Sequence, residues 1–122
     1  MKPGEARDDA LAALYEADQR HTDPDLGTLS RRASEMVAGV WECRDALDAE
    51  IAEVAAGWRV ERMPPIDRNI LRLGLWELRN RPHTPVPVVI SEAVRLARRF
   101  STGRSAGFVN GVLSRLASTE EE

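Results

Sequence analysis

Apolar residues along this chain return every three or four positions, the period of helices that bury one face, and no segment reads as a strand. Ala6, Ala10, Ala13, Leu14 and Ala17 make one such stripe and predict a helix over residues 5–19. Asp8 and Asp9 fall in its first turn, where the helix dipole favours negative charge. His21-Thr22-Asp23-Pro24 then breaks it. From Leu26 a second stripe, Leu29, Ala33, Met36, Val37, Val40, Trp41, Leu47, Ile51, Val54 and Ala55, runs to Gly57 and predicts one long helix or two with a bend. Gly39 inside it costs about 1 kcal/mol relative to alanine, tolerable where another helix approaches closely, and it is not read as a hinge.

Arg62-Met63-Pro64-Pro65 is the sharpest boundary, because proline lacks a backbone donor and suits the first turn of the next helix. That helix is predicted over residues 65–79. Its Ile66, Ile70, Leu71, Leu73, Leu75, Trp76 and Leu78 cover more than half the circumference, which puts it at the centre of the core. The three prolines of residues 81–87 predict a stiff, non-helical connector. A helix over 88–100 follows, with Val89, Ala93, Val94, Leu96 and Ala97 inward and Arg95, Arg98 and Arg99 largely outward. Residues 101–107 read as a polar loop and residues 108–117 as a short last helix carrying Val109, Val112, Leu113 and Leu116. The expectation is an all-α protein without internal repeats.

Length and charge narrow the classes. The 122 residues contain no apolar run near the roughly 20 needed to span a membrane, so one domain over residues 1–122 is expected. No segment resembles a secretory signal, and the single cysteine, Cys43, allows no internal disulfide, which together point to the cytoplasm. Net charge is −3 but unevenly spread. Residues 1–57 carry 6 basic and 13 acidic side chains, whereas residues 58–122 carry 11 basic and 7 acidic, three of the latter in the terminal Glu120-Glu121-Glu122. Sixteen of the 17 basic residues are arginine, which contacts phosphate through two donors at once and stacks on bases. A codon bias toward arginine explains the same preference.

Catalytic chemistry is not legible. His21 and His83 lie in different connectors without a carboxylate or thiol partner, and Gly103 and Gly107 match no phosphate-loop spacing. Cys43, with Glu42 and Asp45 nearby, reads as a small packing residue and not a nucleophile. No metal, cofactor or enzymatic activity is expected.

Four segments carry a resemblance. Gly107-Phe108-Val109-Asn110-Gly111-Val112-Leu113 resembles the FVNGVL signature of the NusB family. Residues 90–101, with Glu92-Ala93-Val94-Arg95-Leu96-Ala97 and Phe100-Ser101, resemble its "inEAVeLAKkFs" helix. Residues 65–78, with Asp67-Arg68, Ile70-Leu71-Arg72 and Glu77-Leu78, resemble its "vDraILRlalyEL" helix, and residues 6–15 its opening "ARexAlqaLY" segment. In order and spacing these pieces cover nearly the whole chain. The resemblance implies an all-α bundle of about six to seven helices, two groups of three packed across each other. It implies a bacterial transcription antitermination factor that binds the single-stranded boxA element of ribosomal RNA leader transcripts. The partner implied is NusE, a small-subunit ribosomal protein, within a complex on RNA polymerase. The fold also begins some ribosomal RNA cytosine methyltransferases, an activity not expected of these 122 residues, which hold no cofactor-binding domain.

One departure bears on binding. Family members begin with consecutive arginines where this chain has Lys2-Pro3-Gly4-Glu5, leaving Lys2 and Arg7 as the basic residues. Each lost phosphate contact lowers the salt slope by about 0.7 on single strands. This favours a second reading, a NusB-fold interaction module or homodimer with weak or lost independent RNA binding. The best substitute is Arg104 with Phe108, where an exposed ring can stack on an unpaired base and a helix start beside arginine can take a phosphate; alternatively Phe108 is the first core residue of the last helix. Tyr15 matches a family tyrosine at the RNA and partner surface, or is half-buried with its hydroxyl in water. Arg68 and Arg72 share a helix face that RNA or an acidic partner could meet, or that is merely solvated. Asp67 matches an acid that contacts NusE in the family, or serves the helix dipole. Asn110 and Gly111 need no RNA: the glycine allows close helix packing and the asparagine serves loop backbone groups.

Overall fold

The computed structural model describes the backbone of residues 3–120 and the side chains of residues 5–118. Within these, six α-helices follow one another: α1 (Pro3–Arg20), α2 (Arg31–Glu42), α3 (Arg44–Val54), α4 (Pro65–Asn80), α5 (Val86–Phe100) and α6 (Ser105–Glu120), with one 3-10 turn at Val60–Arg62. The fold is all-α, as the period of the apolar positions predicts.

Local chemistry sets most boundaries. α1 ends where His21 takes a left-handed conformation (φ 55°) and the Thr22 N–H reaches back to the Ala17 carbonyl at 3.2 Å, the bond pattern of a Schellman cap. Ser30 caps α2, its hydroxyl accepting from the Ala33 N–H at 3.1 Å. The long stripe resolves into two helices with a bend at Cys43. There Arg44 donates to the Trp41 carbonyl at 2.9 Å and lies 3.6 Å above the Trp41 ring, taking a carbonyl freed by the change of direction. Two other boundaries differ from expectation. Pro87 lies inside the first turn of α5, where its missing N–H has no intrahelical partner to lose, so the stiff connector is shorter than residues 81–87. α6 starts at Ser105, so Phe108 stands one turn inside that helix and not at its first residue.

α4 is the centre. It packs against each of the other five helices, and every residue from 69 to 78 is buried. α4, α5 and α6 pack mutually; α1 packs on α2 and α4, while α3 lies against α4 and α6. Gly39 explains the close approach of α2: a Cβ there would overlap the indole of Trp76 on α4. Burying α4 on all sides also buries its polar residues, and a charge taken from water must find a partner.

Candidate nucleic-acid interface

The expected phosphate ligands on the inner helices are engaged inside the bundle. Arg7 on α1 is 3% exposed, as is the side chain of Glu77 on α4. The two form a bidentate pair, Nη2 to Oε1 at 2.7 Å and Nε to Oε2 at 2.9 Å, and Nη1 adds Glu92 of α5 at 3.3 Å. Burial opposes the Arg7 charge, but the hydrogen bonds and negative charge of Glu77, with Glu92, outweigh it and raise its pKa. Arg72 is likewise buried, bidentate to Asp48 of α3 (2.7 and 2.8 Å), with Nη1 toward Asp18 of α1 (3.3 Å) and Asn69 (3.1 Å). Here too desolvation is overcome, chiefly by Asp48, and the pKa is raised. Arg68 Nε donates to Asp18 Oδ2 at 2.6 Å. Burial alone would favour the neutral acid at Asp18, yet Arg68 and Asn69, then the charge of Arg72, hold its pKa below the ordinary carboxylate value. Arg7 and Arg72 therefore tie helices together and present no phosphate-facing surface, contrary to the sequence expectation; Arg68 is mostly committed in the same way.

Asp67 is corrected similarly. It is 4% exposed and accepts from the hydroxyls of Ser101 (2.5 Å) and Ser105 (2.8 Å), so it anchors the α5–α6 loop to the start of α4, with its carboxylate engaged inside the protein. The sequence could not foresee this, because the serines lie 34 and 38 residues away.

The anchored loop carries the groups that do face outward. Arg104 immediately precedes α6, is exposed, and has no ion-pair partner among the described residues. Phe108 is half-buried: part of its ring packs on the core and part faces a cleft of about 240 Å³. Core packing and cleft exposure thus fall on different parts of one ring. Trp58, which the sequence reading did not single out, meets it edge to face, with ring centroids 5.9 Å apart and planes at 61°. An aromatic between a glycine and an arginine, Gly57-Trp58-Arg59, outside every apolar stripe, is the signal that could have found it. Arg104 lines the cleft on one side of this ring pair, and Arg115 a second cleft on the other. Tyr15 is 37% exposed on α1 and lines neither cleft. Lys2 lies outside the described residues. Gly111 faces open space, so the close helix packing expected there occurs at Gly39 and Gly74 instead. Asn110 accepts from the Ser114 hydroxyl one turn along α6, not from a loop.

Three further arginines are ion-paired: Arg95 and Arg99 both reach Asp8 at 2.7 Å, and Arg79 reaches Glu50 at 2.8 Å. Among the described residues no cluster of His, Cys, Asp or Glu is arranged to hold a metal ion, and no helix is long and apolar enough to cross a membrane.

Comparison with known proteins gives a consistent picture. The model of the NusB family matches residues 4–118. The transcription antitermination protein NusB of Sorangium cellulosum is 52% identical over 85 residues, 70% of this chain and 61% of that protein, so this chain aligns with less than two thirds of that relative's length. The same-named protein of Frankia casuarinae is 47% identical over 90% of this chain and 79% of its own length. Among solved structures, NusB of T. maritima superposes with a TM-score of 0.86 at 30% identity, covering 97% of this chain and 92% of that one. A chain from a crystal structure of the antitermination factors NusB and NusE in complex with double-stranded RNA superposes with a TM-score of 0.81 at 26% identity, covering 95% of this chain and 96% of that one.

Proposed function

Because the chain belongs to the NusB family, we propose that it is a cytoplasmic transcription antitermination factor that binds the boxA element of ribosomal RNA leader transcripts together with NusE, within the complex on RNA polymerase. The observation that carries this reading is the outward-facing pair at the start of α6, unpaired Arg104 beside the open part of the Phe108 ring. A cation for phosphate and a flat ring for an unpaired base are the two groups that single-stranded RNA recognition requires. Tyr15, exposed on α1, is the residue left to face RNA or NusE, and Lys2 adds a positive charge at the chain start. The related NusB–NusE structure with double-stranded RNA supports the partnership.

The committed arginines favour a second reading. Arg7, Arg68 and Arg72 hold intramolecular carboxylates inside the bundle and are not available to neutralise phosphates, and Arg95 and Arg99 share Asp8. On that reading the chain is an interaction module or homodimer with weak RNA affinity of its own. Fluorescence anisotropy of a labelled boxA RNA, with the protein alone and with NusE at two salt concentrations, separates them. Binding that tightens with NusE, prefers boxA over a scrambled RNA and is lost in Phe108→Ala supports antitermination. No boxA preference even with NusE present overturns it in favour of the interaction module.

A further inference from the structure

We propose that Trp58 is a second base-stacking residue, forming with Phe108 a two-ring slot for one unpaired RNA base whose flanking phosphates meet Arg104 and Arg115. The inference rests on the RNA-binding reading above and adds residues to it.

Three observations carry it. The first is exposure against anchoring. Trp58 is 54% exposed, although the residues that follow it in the turn, Val60 and Met63, are buried. Its backbone is held by an N–H bond to the Ala55 carbonyl at 2.8 Å, and it is turned outward by Gly57, whose φ of +79° lies in the left-handed region that a side chain would strain. A large ring kept out of the core on a fixed backbone leaves an apolar surface where a ligand can use it.

The second is ring geometry. At 61° the two rings meet edge to face and are not stacked on each other, so the faces turned away from the contact remain for a base, chiefly on the 54% exposed Trp58. The cleft of about 240 Å³ beside them is walled by Trp58, Phe108, Met63 and Pro64, with Arg104 at its rim. It lies just below the roughly 300–1,000 Å³ of sites for drug-sized molecules, which suits one planar ring system.

The third is charge. Trp58 and Phe108 together line a second cleft that holds Arg115, whereas the groove on the Arg59 side of Trp58 is lined by Asp18, Asp45, Asp48 and Glu61, with Arg59 paired to Glu61 at 3.1 Å, so the cations open to a phosphate are Arg104 and Arg115. The one carboxylate in the 240 Å³ cleft, Asp67, is occupied by Ser101 and Ser105. A largely apolar slot with Arg104 in one cleft and Arg115 in the next fits a base with its flanking phosphates better than it fits a purely apolar protein surface.

The test compares wild type with Trp58→Ala, Trp58→Leu and Trp58→Phe, titrating labelled boxA RNA and a scrambled single strand in the presence of NusE, with a thermal melt of each variant. The expected result is a loss of about tenfold in affinity for Trp58→Ala and for Trp58→Leu, about 1.4 kcal/mol, with Trp58→Phe close to wild type. Leucine keeps apolar bulk but lacks a stacking face, so its failure separates stacking from packing. Tryptophan fluorescence quenched by RNA in wild type and not in Trp58→Phe is the matching direct signal, and it stands even where an alanine variant folds poorly. Affinity unchanged in Trp58→Leu, or a Trp58→Ala defect confined to NusE binding without RNA, overturns the slot. Equal binding of both RNAs by wild type, weakened by Trp58→Leu, sinks the boxA reading and keeps the slot; no RNA binding at all overturns both.

Discussion

Replacing Arg7 with alanine strands the Glu77 carboxylate in the interior, and the consequence separates a structural arginine from a phosphate ligand. Glu77 is 3% exposed, and its hydrogen-bond donors are Arg7 Nε and Nη2, at 2.7 to 3.1 Å. Truncating one member of a buried pair costs about 3–5 kcal/mol, because the remaining charge keeps its desolvation penalty and loses its compensation. For a domain of this size each kcal/mol lowers Tm by about 3–5 °C, so Arg7→Ala is expected to melt at least about 10 °C below wild type. The double variant Arg7→Met with Glu77→Leu removes both charges and keeps the volume, and should recover most of that loss, since a buried pair exchanged for apolar side chains is often neutral or stabilising. Calorimetric or far-UV circular dichroism melts of the four proteins complete the cycle. In RNA titrations below their melting temperatures, the double variant should bind like wild type. An Arg7→Ala protein with unchanged Tm and weakened RNA binding would refute this reasoning and return Arg7 to the phosphate surface.

Three other outcomes are expected. Asp18 has its pKa lowered by Arg68, Asn69 and Arg72 against the effect of burial, so its stabilisation is complete above the unfolded carboxylate value of about 3.9 and is lost as pH falls through the lower folded value; urea melts should show Asp18→Asn less stable at pH 7 with a shallower loss on acidification, and equal slopes would sink the assignment. Asp67→Ala should release the α5–α6 loop from its two serine bonds, raising amide exchange in residues 101–105 and costing about 1–3 kcal/mol for the polar groups left unpaired; unchanged exchange there would show that the anchor does not hold the loop. Gly39→Ala gains about 1 kcal/mol of helix propensity yet drives a methyl into the Trp76 indole, an overlap worth about 1–3 kcal/mol, so net destabilisation with a shifted tryptophan emission is expected, and a stabilised variant would argue against the close α2–α4 contact.

The sequence by itself determined the helices and their centre. A period of three to four is a local property, and a segment apolar around most of its circumference, such as residues 65–79, can lie only in the middle of other helices. Gly39 was readable as a place of close approach for the same reason: a glycine tolerated inside a helix implies a neighbour. Boundaries were less legible where proline could either end an element or begin one, as at Pro87, and where the polar residues 105–107 proved to be the first turn of α6.

Which polar residues face outward was decided only by the tertiary structure. Arg7 and Arg104 look equally exposed when read along the chain, yet Arg7 finds Glu77 seventy residues away while Arg104 finds no carboxylate among the described residues. Asp67 finds its hydroxyls in a loop that two helices must bring back to it. Trp58 belongs to no apolar stripe of the sequence, and its 54% exposure follows a left-handed turn at Gly57. The physical reason is common to all three. Burying a polar group is governed by whether a partner from a distant segment arrives to replace water, and keeping a ring exposed by whether the packed interior has room for it. Neither condition is contained in the neighbours of the residue along the chain.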